Sequence, residues 1–310
     1  MPFERFPVEK PAVLKASTPG GHPVIRAVWL AAYVLFALAA LLFALRAFSY
    51  VIPLFIAALW LIAGLVAYGV RHARFVGTLG RAERAFRSGD LAGARALVAP
   101  LVDRFSTLPA VQRLAGLVLY ASGDPLSAAA MLEGAARVTP DSDVVVTLTA
   151  SYAALNKAGD ARRAAALRPD DPDVRLALAW AELVALGGDR VHGAALAQAL
   201  PSDAPARAAM TATLQAIAAA ERHDATTVRA RLRDAEDRYV LLAGDERAFL
   251  GYLGGVALRE LGALDDARAT FTLAMEAAPD TIGEALARRE RSHMPLGSDS
   301  PSGSDQPSSD

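Results

Sequence analysis

Two uncharged runs near the start constrain what this chain can fold into more than any other feature. They cover residues 27–45 and 47–70, and a single arginine, Arg46, separates them. A helix of ~20 apolar residues crosses the ~30 Å hydrocarbon core of a bilayer, and both runs reach that length. A hairpin buried in a globular core or a cleaved signal peptide fits less well, because the runs are long and adjacent. The pattern predicts two transmembrane helices within residues 24–72, after an irregular segment at 1–23.

The orientation in the membrane follows from the basic residues that flank these runs. Arginine and lysine are enriched in cytoplasmic loops. They precede the first run and follow the second: Arg5, Lys10, Lys15, Arg26, Arg71, Arg74, Arg81, Arg84 and Arg87. We therefore expect both termini and everything after residue 72 on the cytoplasmic side. The Ala/Arg/Asp-rich composition favours a bacterial inner membrane. A C-terminal part that faces the periplasm is the alternative.

Charge and reactive side chains limit the classes of function. The chain has 32 Lys and Arg against 33 Asp and Glu, so it lacks the basic surplus typical of nucleic-acid-binding proteins. It contains no cysteine, and no two of its five histidines have the helical spacing of a metal-ligand pair. The sequence also lacks phosphate-binding loops and nucleophile elbows. We predict no catalytic residues, no cofactor, no metal and no nucleic-acid partner. We therefore expect that the chain is not an enzyme.

A turn motif recurs through the rest of the chain. It reads Gly-Asp or a close variant, and successive turns lie 29 to 39 residues apart, starting at Gly89, Gly123, Gly159, Gly188, His223 and Gly262. Segments of helical length, rich in Ala, Leu and Val, flank each turn. Glycine can adopt the left-handed conformation that ends one helix, and aspartate can cap the first N–H groups of the next. The motif predicts a series of helix pairs with a period of ~34 residues.

Two segments match one repeat pattern position by position. The first places small residues, a large apolar residue and a closing proline at Gly116, Gly123, Ala128, Leu132, Ala135 and Pro140. The second has Gly255, Gly262, Ala267, Phe271, Ala274 and Pro279 at the same offsets. In these segments the chain resembles the tetratricopeptide-repeat family. The resemblance implies an all-α fold in which antiparallel helix pairs stack into an α-solenoid over residues 73–292.

The other copies match the pattern less well. The third shortens its second helix at residues 168–169, and the fifth has His223 in place of the turn glycine. We expect four to six stacked pairs, without regular curvature over residues 160–245. A polar capping helix at 281–291 and a disordered Ser/Asp-rich tail at 293–310 complete the predicted organisation.

The family resemblance also implies a binding surface. In tetratricopeptide repeats, a groove lined by the first helix of each pair commonly receives peptides or partner domains. The matching positions of this chain are Arg113, Tyr120, Thr149, Asn156, Lys157, Arg175, Glu182, Tyr252 and Arg259. Tyr120 and Tyr252 are the strongest candidates, because exposed aromatic side chains in a groove are often contact residues. The alternative for each position is ordinary solvated helix surface.

Together these features favour a membrane-tethered adaptor or scaffold whose repeats mediate protein–protein interactions, for example in assembling a membrane or envelope complex. Three alternatives stay open. The chain can be a structural membrane protein that forms homo-oligomers, a periplasm-facing factor in envelope biogenesis, or a small-molecule sensor or enzyme. The first two share the expected contact with the lipid bilayer through residues 24–72.

Overall fold

The computed structural model describes residues 32–41, 48–200 and 204–295 of the chain. Helices make up the regular secondary structure throughout these ranges, which confirms the predicted all-α class. The chain divides into two compact units, with the division between Val118 and Leu119. The predicted irregular segment at the N-terminus and nearly all of the predicted tail lie outside the described residues.

The unit that ends at Val118 contains three helices and most of a fourth. Helix α1, Ala32–Leu41, lies within the first predicted membrane run, whose remaining residues fall outside the description. Helix α2 spans Phe48–Arg87, and α3 spans Leu91–Phe105. Helix α4, Pro109–Ala121, crosses the division between the two units.

Helix α2 differs from the prediction in its length. It continues for 40 residues without a break, so it joins the second predicted membrane run to the first helix of the first repeat. Its C-terminal part packs on α3, and the rings of Phe75 and Phe105 are 4.8 Å apart. The domain boundary predicted at residue 72 falls inside this helix.

The predicted transmembrane hairpin is not supported by the described part of the chain. There, one helix, over Leu54–Arg87, is long and apolar enough to cross a membrane. Helix α1 has ten described residues, which is too short for a span. None of the apolar window of α2 is buried against the rest of the protein, and Trp60 is 76% exposed.

The unit that begins at Leu119 continues as helix pairs. Its helices are α5 Pro125–Ala136, α6 Ser142–Ala154, α7 Ala158–Ala165, α8 Pro172–Val184, α9 Arg190–Ala199, α10 Pro205–Glu221, α11 Ala225–Glu236, α12 Gly244–Glu260, α13 Leu264–Ala277 and α14 Ile282–His293. A short 3-10 helix, Tyr239–Leu241, precedes α12. The pairs are α6–α7, α8–α9, α10–α11 and α12–α13, and α14 follows them. Each first helix packs on its own second helix and on the first helix of the next pair.

The turns between paired helices follow the chemistry of the repeated motif. Gly89, Gly123 and Gly262 have positive φ angles of 83°, 83° and 86°, as expected for residues that end a helix in the left-handed conformation. Asp124 then accepts a hydrogen bond from the Ser127 N–H at 3.0 Å. The equivalent bonds of Asp90, Asp189 and Asp224 to the N–H three residues on are 2.8, 3.0 and 3.0 Å.

The third turn is not where the motif predicted it. Helix α6 ends at Ala154, and α7 already begins at Ala158, so Gly159 lies inside a helix. Asn156 takes the left-handed position, with φ of 58°. Asparagine tolerates this conformation better than other residues with a side chain, which explains why a turn without glycine forms here. The predicted shortening of the second helix is confirmed, since α7 has only eight residues.

First and second helices differ in how much of their surface is buried. Helix α10 buries residues on all of its faces, whereas its partner α11 buries only Val228 and Ala235.

Small residues allow paired helices to come close together. A Cβ atom added to Gly251 would lie 2.9 Å from the Ala274 Cβ, and one added to Gly255 would lie 2.4 Å from a Phe271 ring carbon. The predicted close approach at Gly255, with Phe271 beside it, is therefore confirmed.

Candidate protein-binding surface

The two tyrosines predicted to be exposed in a groove are buried. Tyr120 and Tyr252 are both 0% exposed, although 132 residues separate them in the sequence. Tyr252 packs with Phe249 and Trp180, at ring-centroid distances of 5.9 and 6.4 Å. Trp180 meets Phe249 edge-on at 4.9 Å. The expectation of exposed aromatic contacts is wrong because the first helices converge here and enclose their large side chains.

The polar atoms of this aromatic cluster are not hydrogen-bonded to the described residues. They are the hydroxyls of Tyr120 and Tyr252 and the indole Nε1 of Trp180. Burial, followed by the proximity of Tyr252, raises the pKa of Tyr120. Burial, followed by the charge of Glu290, raises the pKa of Tyr252. The nearby indole N–H of Trp180 reduces this increase only in part, and it does not form a well-aligned hydrogen bond with the hydroxyl. Both phenols therefore stay neutral at physiological pH.

Two further predicted groove residues are internal and have structural partners. Thr149 is 0% exposed, and its hydroxyl donates to the Val145 carbonyl at 2.8 Å. Glu182 is 1% exposed and accepts two hydrogen bonds of 2.6 Å from Arg162, one to each carboxylate oxygen. It also accepts the backbone N–H of Asp189 at 2.6 Å. Glu182 thus fastens the irregular turn between α8 and α9 to α7.

Four of the predicted residues remain at the surface. Asn156 and Lys157 are exposed in the turn between α6 and α7, while Arg175 is half-buried in α8. Arg113 is half-buried in α4 and belongs to the other compact unit. Lys157 precedes the first residue of α7, and its side chain makes no capping bond. Asn156, Lys157 and Arg175 thus remain the surface-accessible predicted positions in the unit that begins at Leu119.

The ninth predicted residue, Arg259, contacts an element outside the predicted groove, the C-terminal helix α14. Its guanidinium is paired with Glu290 on the C-terminal helix α14 and donates to Glu260 at 2.8 Å. Burial by itself lowers the pKa of Arg259. The hydrogen bond to Glu260 and the charge of Glu290 outweigh this effect, and the pKa lies above its usual value. The carboxylate of Glu290 also lies 3.5 Å from Arg289. Arg259 is thus a predicted groove residue that contacts α14.

Helix α14 covers more than the end of the array. The Nη1 of Arg289 donates to the carbonyl of Ala154, the last residue of α6, at 2.7 Å. The Cβ of Ala285 lies 3.0 Å from the Cβ position at Gly123. The predicted capping helix is present, but it also reaches back to the first helix pairs of its unit. The sequence predicted a polar capping helix at 281–291, and no local signal distinguishes a solvated arginine of such a helix from one like Arg289 that makes a tertiary contact.

Elsewhere, side chains that could support chemistry are dispersed. Within residues 32–41, 48–200 and 204–295, no group of three His, Asp or Glu side chains is close enough together to hold a metal ion. One open pocket lies between α9, α10 and α11 and is lined by Gln198, Gln215, Arg222 and Arg231 among others. The amide of Gln215 already donates to the carbonyl of Ala197 at 3.0 Å.

Comparisons with known proteins add a limited structural resemblance. No protein-family model and no curated protein sequence matches the chain. Among solved structures, it is similar to the crystal structure of a tetratricopeptide repeat protein from Parabacteroides merdae, with a TM-score of 0.49 and 13% sequence identity. The alignment covers 82% of this chain and 97% of that one.

Proposed function

We propose that the chain is a membrane-tethered scaffold: α2 anchors it in a bilayer, and its helix pairs bind another protein at the membrane surface. The observation that carries this proposal is that no residue of the apolar window of α2 is buried, in the same chain as an array of helix pairs. Helix-pair arrays present extended surfaces that commonly serve protein binding. The scaffold would assemble a membrane or envelope complex.

The exposed apolar helix supports the tether. Residues 54–70 contain nine Leu, Ile, Phe and Val side chains and no charged residue. At roughly 0.3 to 0.6 kcal/mol gained for each of these residues, insertion of this segment into a bilayer is favourable by about 3 to 5 kcal/mol. Left in water, the same surface would be far larger than the apolar patches typical of soluble monomers.

The arginines that follow the apolar segment support a cytoplasmic location. Arg71, Arg74, Arg81 and Arg84 are exposed along the same helix. Each would interact favourably with anionic headgroups on the cytoplasmic face, by about 1 kcal/mol near the surface. The proposal therefore places the helix pairs in the cytoplasm of a bacterial cell. A reporter fused after Ser292 tests this point, because fluorescent protein matures inside and alkaline phosphatase is active outside.

Partner binding is tested by photocrosslinking in cells that produce the full-length chain. A photoreactive amino acid at Lys157, an exposed predicted groove position, should give a discrete crosslinked product with another protein. The matched control is the same amino acid at Leu126, which is 64% exposed on a second helix. Crosslinks to the same protein from both positions, or from neither, would contradict binding at the predicted groove positions.

A second candidate function is structural self-association, and the exposed apolar face of α2 also favours it. Another copy of the chain, rather than lipid, would then cover that face. An alkaline carbonate wash of cell membranes distinguishes the two: a bilayer-spanning chain stays in the pellet, whereas a peripheral oligomer is released. If crosslinks from Lys157 join only copies of this chain, the self-associating protein replaces the scaffold.

A further inference from the structure

The contacts of α14 resemble those of a ligand helix bound across several repeats. It touches the array at Gly123, Ala154 and Arg259, which lie in or next to three different helix pairs. It also crosses α12 at very short range. A Cβ atom added to Gly283 would lie 2.5 Å from the backbone N of Phe249 and 2.6 Å from the carbonyl carbon of Ala248. A terminal cap needs only the contacts with α12, since it has to cover only the last pair, α12–α13.

The residues of α14 divide into a contact face and a solvent face. Ile282, Gly283, Leu286 and Ala287 are buried against the array. Arg288, Arg291 and His293 are exposed on the other side. A helix with one apolar face and one polar face is the form in which many proteins recognise a groove, with anchors at spacings of three, four and seven residues. Here those anchors are Gly283, Leu286 and Glu290.

The contacts far from the last pair are few and polar, or consist of a single methyl group. One hydrogen bond joins Arg289 to α6, and one methyl group, that of Ala285, reaches Gly123. Within the last pair, the ion pair of Arg259 with Glu290 is mostly buried, with side chains 30% and 13% exposed. The connection before α14 contains Asp280 at a positive φ of 58°, which is unfavourable for a residue with a side chain.

We propose that the surface contacted by α14, formed by Gly123, Ala154, Ala248, Phe249 and Arg259, is a binding site for an amphipathic helix of a partner protein. In the isolated chain, α14 occupies this α14-binding surface and the partner helix displaces it. The partner helix has a defined chemistry. It carries a small residue where it crosses Ala248 and Phe249. Counted from that residue, it has an apolar residue at position +3, an arginine at +6 and a glutamate at +7. This inference rests on the proposed function, because it names the partner element that the scaffold binds.

The test is peptide binding to the full-length chain in detergent, with a fluorescent peptide of residues 280–295 as the probe. Gly283→Leu in the protein would press a side chain against the α12 backbone and so release α14 from the surface. Gly159→Leu is the matched control, because no atom lies within 4 Å of a Cβ added there. The Gly283→Leu protein should bind the peptide at least about tenfold more tightly than the wild type or the control, since an intramolecular competitor has been removed.

Two further measurements make the outcome decisive. A peptide that carries leucine at the position of Gly283 should not bind any of the three proteins. Circular dichroism establishes that the Gly283→Leu protein keeps its helix content. If that variant unfolds, Arg289→Ala is read in its place, because it removes the hydrogen bond to Ala154 and the contact with Glu290 without adding a side chain against α12. Peptide binding equal to that of the wild type, in a folded release variant, overturns the proposal.

Failure of this proposal can be told apart from failure of the scaffold function. If crosslinking at Lys157 captures a partner but Gly283→Leu leaves peptide binding unchanged, the scaffold stands and the partner uses a different surface. If Gly283→Leu increases peptide binding but no partner is captured in cells, the α14-binding surface stands and the scaffold function fails.

Discussion

Gly255 and Phe271 show how a single missing side chain sets the distance between two helices. The glycine lies on α12 where α13 comes closest, and the buried Phe271 ring fills the space in front of it. Phe271 is 0% exposed and packed on all sides, so it cannot move aside as a surface side chain would. The small residue and the large one are therefore a matched pair, and changing either affects the contact.

Replacing Gly255 with alanine should lower the free energy of unfolding by about 1 to 3 kcal/mol, because the added methyl overlaps the Phe271 ring. Gly159→Ala provides the control, since Gly159 is exposed inside α7 with open space around it. It should leave stability unchanged or raise it by up to about 0.5 kcal/mol through helix propensity. Chemical denaturation followed by circular dichroism measures both. Equal effects of the two substitutions would show that the contact is not tight.

The buried tyrosines predict how stability depends on pH. Tyrosine in an unfolded chain titrates near pH ~10. Since burial raises the pKa of Tyr120 and of Tyr252 in the folded protein, their contribution to stability is complete below pH ~10 and is lost as the pH rises above that value. Denaturation at a series of pH values should show this decline. The double variant Tyr120→Phe/Tyr252→Phe should flatten it.

Tyr239 provides a graded comparison in the same experiment. Burial, followed by the charge of Glu236, raises its pKa to about 12, a smaller shift than that of the two enclosed tyrosines. Tyr239→Phe should therefore reduce the alkaline loss of stability less than the double variant does. The opposite order would mean that Tyr120 and Tyr252 are open to solvent.

At the scale of helices, the order of elements depends on short turns that satisfy backbone groups locally. An aspartate accepts the N–H three residues ahead at the starts of α3, α5, α9 and α11. The carboxyl group of Asp224 accepts hydrogen bonds from the side chain and the backbone N–H of Thr227, and these bonds lower its pKa. Each bond satisfies an N–H group that the helix itself leaves free. The second helices depend on such caps more than the first helices do, since less of their surface is buried.

We expect Asp124→Ala to lower the free energy of unfolding by about 1 kcal/mol, because it removes the cap of α5. Asp141 provides a matched control: it occupies the same position before α6, but its side chain makes no capping bond. Asp141→Ala should have a smaller effect. Thermal unfolding of the two variants decides the point, and a larger effect at Asp141 would show that the capping bond contributes little.

At the scale of the whole molecule, α2 links the apolar segment to the first helix pair without a flexible joint. The same helix is exposed and apolar near Leu54 and packs on α3 near its end, where Ala82 is 0% exposed. A rotation or tilt of the apolar segment would therefore be transmitted directly to α3. The predicted boundary at residue 72 therefore lies within one continuous helix.

Truncation tests this arrangement. A fragment that begins at residue 73 keeps the part of α2 that covers α3, whereas one that begins at residue 88 removes it. In the shorter fragment the buried face of α3 loses its cover, and an isolated helix of 15 residues is barely stable in water. Hydrogen exchange should show protected amides over residues 91–105 in the first fragment and rapid exchange in the second. Equal protection would mean that α3 is stable without α2.

The sequence by itself determined the features that depend on local chemistry. Glycine and aspartate at the turns predicted where most helices end and begin, because left-handed backbone and helix capping are properties of a few adjacent residues. The pairing of Gly255 with Phe271 was predictable for a similar reason, since the helices that carry them are neighbours in the chain. The apolar run after Arg46 predicted a helix that no part of its own protein buries, and this helix is observed.

Only the tertiary structure decided which side chains face solvent and where distant segments meet. Tyr120 and Tyr252 have the polar hydroxyls of surface residues, yet the convergence of the first helices encloses them. The third turn forms at Asn156 rather than Gly159, because asparagine also tolerates the left-handed backbone that ends a helix there. The contact of Arg289 with Ala154 joins residues 135 positions apart. Such contacts depend on how all the helices stack, so the place of α14 on the array could not be derived from its own sequence.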